Sequence, residues 1–98
     1  MYESISIDDF EELMKKEFLN IIDVREPDEF ADGHINEAVL VPLQTLAEKL
    51  AELDEEEAYY VICHSGGRSA AACEFLAAED FKVTNVLGGM AAWRGTTV

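Results

Sequence analysis

Short apolar runs alternate along this chain with stretches whose apolar residues recur every three or four positions. Ile5 begins a brief extended piece. Ser6-Ile7-Asp8-Asp9 then reads as a helix start, with Ser6 as N-cap and Asp9 at the third helical position. Phe10, Leu13 and Met14 form the apolar face of that helix, and Lys15 and Lys16 suit its C-terminal end. Phe18 to Val24 is a short buried-strand candidate. Pro27 opens a helical turn that stops at Gly33. Ala38 to Val41 is a second strand-like run, ended by Pro42. Leu43 to Leu53 has helical spacing at Leu43, Leu46, Ala47 and Leu50, and Asp54 to Glu57 reads as an acidic surface turn. Ala58 to Cys63 is a strand, Ser69 to Ala78 a helix, and Val83 to Leu87 a last strand broken by Gly88-Gly89. Met90 to Trp93 closes the pattern as a short helix. Strands alternating with helices predict parallel β-α units in a doubly wound α/β sheet. Ligands in such sheets sit beyond the carboxyl ends of the strands. Cys63 and the segment Asp23-Val24-Arg25 both lie at predicted strand ends, so the pattern allows them to share one edge.

Length and charge narrow the function. Ninety-eight residues suit one domain over residues 1–98, and 49% hydrophobic content agrees with a globular core. A net charge of −14 argues against nucleic acid and against anionic membrane surfaces. It also makes long-range steering of an anion unfavourable, so any anion site has to be built locally. The first residues, acidic and without a long apolar core, do not read as a signal peptide, and no run approaches the ~18 apolar residues of a membrane span. Two cysteines ten residues apart do not form a secreted disulfide framework, so a cytoplasmic, reducing location is expected. No internal repeat or linker is visible.

The candidate chemistry gathers in VICHSGGRSAAACEFL, residues 61–76. The strand delivers Cys63 to a loop of His64, Ser65, Gly66, Gly67 and Arg68, after which Ser69 opens a helix. Gly66 and Gly67 let the loop curl with its N–H groups inward, and the helix N-terminus points at the same spot. A thiolate there gains both stabilisations, which makes Cys63 a candidate nucleophile of lowered pKa rather than an inert buried thiol. Arg68 is expected to brace the loop by bonding its carbonyls, with contact to an anionic donor as the alternative. His64 reads as a solvent-facing loop side chain or as a general acid and tunable charge near the sulfur. Asp23, Arg25 and Glu29 are read as one charge network bracing the neighbouring loop, and His34 as a structural histidine bonded to backbone. Gly88-Gly89 either lets the backbone approach the Cys63 loop or merely makes the turn. Cys73, on the helix, is expected to be a small core residue. A disulfide-resolving role needs close approach to Cys63. Zinc held by Cys63, Cys73, His64 and His34 lacks ligand spacing. No metal or cofactor is expected.

Three stretches stand in order: IIDVREPDEFADGHINEAVLVP, CHSGGRSAAACEFL and NVLGGMAAW. On these the chain resembles a single-domain rhodanese from about Ile5 to Trp93. The resemblance implies a five-stranded, mostly parallel sheet flanked by helices on both faces. It also implies a catalytic cysteine on a CxxGxRS loop, here Cys63, with the amides of residues 64–68 cradling its persulfide. The implied activity is sulfur transfer from thiosulfate or a persulfide donor to a thiophilic acceptor, cyanide in an assay or a thiol in the cell. The implied partners are a small sulfur-containing anion, a low-molecular-weight thiol persulfide or a protein sulfur acceptor. Two positions depart from the family pattern: Cys73, where alanine is frequent, and Asp80, where glycine is frequent. Asp tolerates the left-handed backbone such a glycine would serve. Two rival readings remain: a cysteine phosphatase or arsenate reductase of the same fold, and a persulfide-carrying interaction module. Four residues separate Cys63 from Arg68, whereas the related phosphatase loop has five. The smaller ring favours sulfur.

Overall fold

The computed structural model describes residues 1–98. Five strands, β1 (Glu3–Ser6), β2 (Asn20–Asp23), β3 (Ala38–Leu40), β4 (Ala58–Ile62) and β5 (Lys82–Leu87), form one sheet of order β1-β5-β4-β2-β3. Every adjacent pair is parallel. The connections carry helices α1 (Ile7–Met14), α2 (Pro27–Ala31), α3 (Gly67–Ala78) and α4 (Gly89–Ala92), with a 3₁₀ helix over Leu43–Glu52. No helix is long and apolar enough to cross a membrane.

The period-2 alternation of the strands sends neighbouring residues to opposite faces. Ile22, Val61 and Val83 pack with Ala72, Cys73 and Leu76 of α3 and with Leu46 of the 3₁₀ helix. Ile21, Ile62 and Val86 pack with Phe10 of α1, and Met90 and Trp93 lie against the same cluster. Both faces are thus covered, which explains why the central strands read as continuous apolar runs. β4 lies in the middle of the sheet, with β2 on one side and β5 on the other. The register sets Asp23 beside Ile62 and Asn85 beside Val61. The segments that leave these three strands therefore meet at one edge.

Local chemistry follows the sequence at several points. The Ser6 hydroxyl accepts the Asp9 N–H at 3.1 Å, capping α1. Asp80 has φ 71°, the left-handed conformation that ends α3. Three expectations need correction. β2 begins at Asn20 rather than Phe18, whose side chain is 76% exposed. Pairing with β4 starts only at Asn20, so Phe18 precedes the ladder and Leu19 takes the buried place. The segment after Pro42 winds as a 3₁₀ helix, because apolar spacings of three and four residues fit either winding over so few turns. Finally, α3 begins at Gly67 rather than Ser69. Gly66, at φ 109°, turns the chain so sharply that its carbonyl already accepts the Ala70 N–H at 3.1 Å. Arg68 therefore stands in the first helical turn, not in the loop.

Candidate active site

Cys63 directly follows the central strand, which ends at Ile62 rather than at Cys63, and is 1% exposed. Its sulfur accepts the Gly66 N–H at 3.1 Å and the Ser69 N–H at 3.3 Å, and lies 3.3 Å from the Ser69 hydroxyl. That hydroxyl donates to Asn85 Oδ1 at 2.5 Å, so in the neutral state the thiol donates to Ser69. On ionisation the same hydroxyl can turn and donate to the sulfur. Burial pushes the Cys63 pKa up. Hydrogen bonds from the Ser69 side chain and from the amides of Ser69, Gly66 and Ser65 outweigh it and leave the thiol below its ordinary range. Ser69→Ala removes the side-chain donor while leaving the amides. It is expected to slow iodoacetamide alkylation of Cys63 at pH 7 roughly tenfold and to move the alkylation midpoint to higher pH. An unmoved midpoint would assign the whole effect to backbone.

Two glycine positions shape the site, and they are not the expected pair. Gly66 carries the positive φ, whereas a Cβ on Gly67 would meet nothing within 4 Å. Gly89 is the other. A Cβ there would stand 2.4 Å from the Cys63 carbonyl oxygen and 2.6 Å from that of His64. The close approach lets the Met90 N–H reach the Cys63 carbonyl at 2.8 Å and the Ala91 N–H reach the His64 carbonyl at 2.7 Å. The loop carbonyls are thereby satisfied by the start of α4, facing away from the sulfur.

Arg68 does not bond the loop carbonyls, as the sequence reading had it. Its guanidinium donates to both Glu29 oxygens, at 2.7 and 2.9 Å, because its place in α3 points it across to α2. Those bonds, with a further one from the Glu26 N–H, hold the Glu29 pKa down at about 2. The single charge network assigned to Asp23, Arg25 and Glu29 accordingly divides in two. Asp23 and Arg25 form their own buried pair, with Arg25 Nε at 2.9 Å from Oδ1 and the terminal nitrogen at 2.8 Å from Oδ2. Arg25 also donates to the Gly33 carbonyl at 2.9 Å, tying the end of β2 to the turn that follows α2. Arg25 is 5% exposed, so it braces the fold and does not face the opening.

His64 and Ser65 have exposed side chains on the loop. His34 Nδ1 bonds the Phe30 carbonyl at 2.8 Å and its ring stacks on Phe30. Cys73 is wholly buried in the cluster that also contains Cys63, and burial first, then the Cys63 charge, pushes its pKa up to about 12. No three His, Cys, Asp or Glu side chains gather closely enough to hold a metal. Four surface concavities are present, and none is lined by residues 63–69. Asn85 went unnoticed in the sequence. A polar residue amid the apolar run Val83–Leu87 is the signal for it, since a 3%-exposed amide in a central strand needs a partner.

The model of the rhodanese-like domain family matches residues 6–96. The "Putative sulfurtransferase YtwF" of Bacillus subtilis is 44% identical over 87 residues, covering 89% of this chain and 84% of that protein. The thiosulfate sulfurtransferase GlpE of Pseudomonas putida is 35% identical, covering 87% of this chain and 78% of its own length. The crystal structure of a rhodanese-related protein from Thermoplasma volcanium superposes with a TM-score of 0.89 at 38% identity, covering 99% of this chain and 98% of that one.

Proposed function

The chain belongs to the rhodanese-like domain family, and on that premise we propose that it is a sulfurtransferase working through a persulfide on Cys63. The observation that carries this reading is the convergence of the Gly66 and Ser69 amides and the Ser69 hydroxyl on one buried sulfur. The names of the relatives, a sulfurtransferase and a thiosulfate sulfurtransferase, support it.

The first half-reaction uses the Cys63 thiolate. It attacks the outer sulfur of the donor, thiosulfate or a thiol persulfide. The S–S bond of the donor breaks and sulfite or a thiolate leaves with the electron pair. In the second half an acceptor thiolate or cyanide attacks the outer sulfur of the Cys63 persulfide, and Cys63 leaves as thiolate. The donors that lower its pKa serve both halves, since they stabilise the anion that attacks and the anion that departs. The exposed side chains of His64 and Ser65 stand at the start of the loop, on the side from which a small thiol or a protein acceptor would approach.

The phosphatase reading fares worse on a specific point. The loop between Cys63 and Arg68 is one residue shorter than the phosphatase loop, and Arg68, the cation such a loop would offer an ester, donates instead to both Glu29 oxygens. The interaction-module reading is compatible with a persulfide handed to a partner protein. A cytoplasmic location agrees with two free cysteines.

Mass spectrometry of the protein after exposure to thiosulfate, and separately to a thiol persulfide, tests the reading. A one-sulfur gain on Cys63 that is lost on adding cyanide supports it. A gain on Cys73 with Cys63 unmodified, or hydrolysis of a phosphate ester at useful rates, overturns it.

A further inference from the structure

The cations at the carboxyl edge of the sheet are all engaged. Of seven lysines and arginines, Arg25, Arg68 and Arg94 belong to that edge by their place in the fold. Arg25 bonds Asp23, Arg68 bonds Glu29, and Arg94 bonds Asp8 at the start of α1. The others lie elsewhere: Lys82 opens β5 at the opposite end, Lys15 and Lys16 follow α1 back from the edge, and Lys49 lies late in the 3₁₀ helix. Glu26 adds negative charge beside Arg68, and Asp28 follows it in the chain. An anion approaching Cys63 meets no unpaired cation, on a chain whose net charge is −14.

Thiosulfate and thiol persulfides differ in what they present there. Thiosulfate is a dianion whose three oxygens remain outside when its outer sulfur enters the loop. A thiol persulfide carries its charge on the outer sulfur, which is the atom the Gly66 and Ser69 amides receive. With hydroxyethyl persulfide the remainder of the donor is neutral. Resting on the sulfurtransferase reading, we propose that Glu29 sets the charge class of the donor: by occupying the Arg68 guanidinium it favours thiol persulfides over the thiosulfate dianion. The step itself is the same for both. Cys63 thiolate forms an S–S bond to the outer sulfur, and either sulfite or the hydroxyethyl thiolate departs with the electrons of the broken bond.

Glu29→Gln tests this. A glutamine oxygen can keep the bond to the Glu26 N–H and one bond to Arg68, while the negative charge is gone. The measurement is the second-order rate of Cys63 persulfidation, by rapid quench and mass spectrometry, with thiosulfate and with hydroxyethyl persulfide. Removing one charge near a partly exposed pair is expected to raise the thiosulfate rate about threefold to tenfold and to change the persulfide rate by less than about twofold. Added salt is expected to raise the thiosulfate rate of the parent protein more than that of the variant. Glu26→Gln leaves the Glu29–Arg68 pair intact and is expected to give a smaller rise with thiosulfate, which keeps the test sound should the first variant fold poorly. Equal changes for both donors, or a thiosulfate rate that falls or stays constant in both variants, would overturn the proposal while leaving the sulfurtransferase reading in place. If neither donor loads Cys63 in the parent protein, both fail together.

Discussion

Cys63→Ser is expected to abolish persulfide formation and to lower sulfur transfer at least about a thousandfold. Serine fits the same space, and its oxygen can accept the Gly66 and Ser69 amides that now serve the sulfur. The loop should therefore keep its form, and thermal unfolding should be little changed. What is lost is the chemistry. An alcohol is not appreciably ionised near neutral pH, and oxygen offers no S–S bond in which to hold the transferred atom. The only other thiol, Cys73, is wholly buried and its pKa is pushed up to about 12, so it is a poor substitute. Thiocyanate formation from thiosulfate and cyanide measures the loss directly. A variant that kept a tenth of the parent rate would move the nucleophile away from Cys63.

Gly89→Ala is expected to damage stability and activity together, although residue 89 carries no functional group. The added carbon would overlap the Cys63 and His64 carbonyl oxygens at 2.4 and 2.6 Å, both of them backbone atoms that cannot swing aside. Overpacking of this kind costs about 1–3 kcal/mol. Alanine at φ 55° adds about 1–2 kcal/mol that glycine does not incur. The melting temperature should fall by about 10–25 °C. Relief of the overlap has to push the α4 start away from the loop, breaking the Met90 and Ala91 bonds and shifting the amides around the sulfur. Slower alkylation of Cys63 than in the parent would report that shift. Gly67→Ala is the matched control. It meets nothing within 4 Å at a helical position, so its melting temperature should hold or rise. If the two variants melt alike, the close approach at Gly89 is not what holds the loop.

The contrast between those glycines marks where sequence reasoning stops. Gly66-Gly67 and Gly88-Gly89 look alike as dipeptides, and only the packing of α4 on the loop distinguishes them. The α/β class was legible because apolar runs such as Ile21-Ile22 and Val61-Ile62 leave no polar face on the central strands. The Ser6 cap was legible because it is settled within a few residues, and the left-handed turn at Asp80 was legible from the glycine the resembling family often has there. Pairings across the sheet were not. The partner of Arg68 lies 39 residues away and that of Ser69 lies 16 away. They meet because β4 sits between β2 and β5, an order that the alternation of strands and helices does not determine. Arg68 was consequently assigned to nearby carbonyls and Glu29 to nearby Arg25, the partners that local spacing offers.

The two thiols also divide the labour of reporting on the molecule. The loop donors lower the pKa of Cys63, while Cys73 lies sealed between α3 and the sheet. A thiol reagent added at neutral pH will therefore mark the first quickly and the second only when the helix lifts from the strands. With Cys63 blocked, the slow labelling of Cys73 becomes a clock for opening of the core, and its rate measures under native conditions how often this fold comes apart.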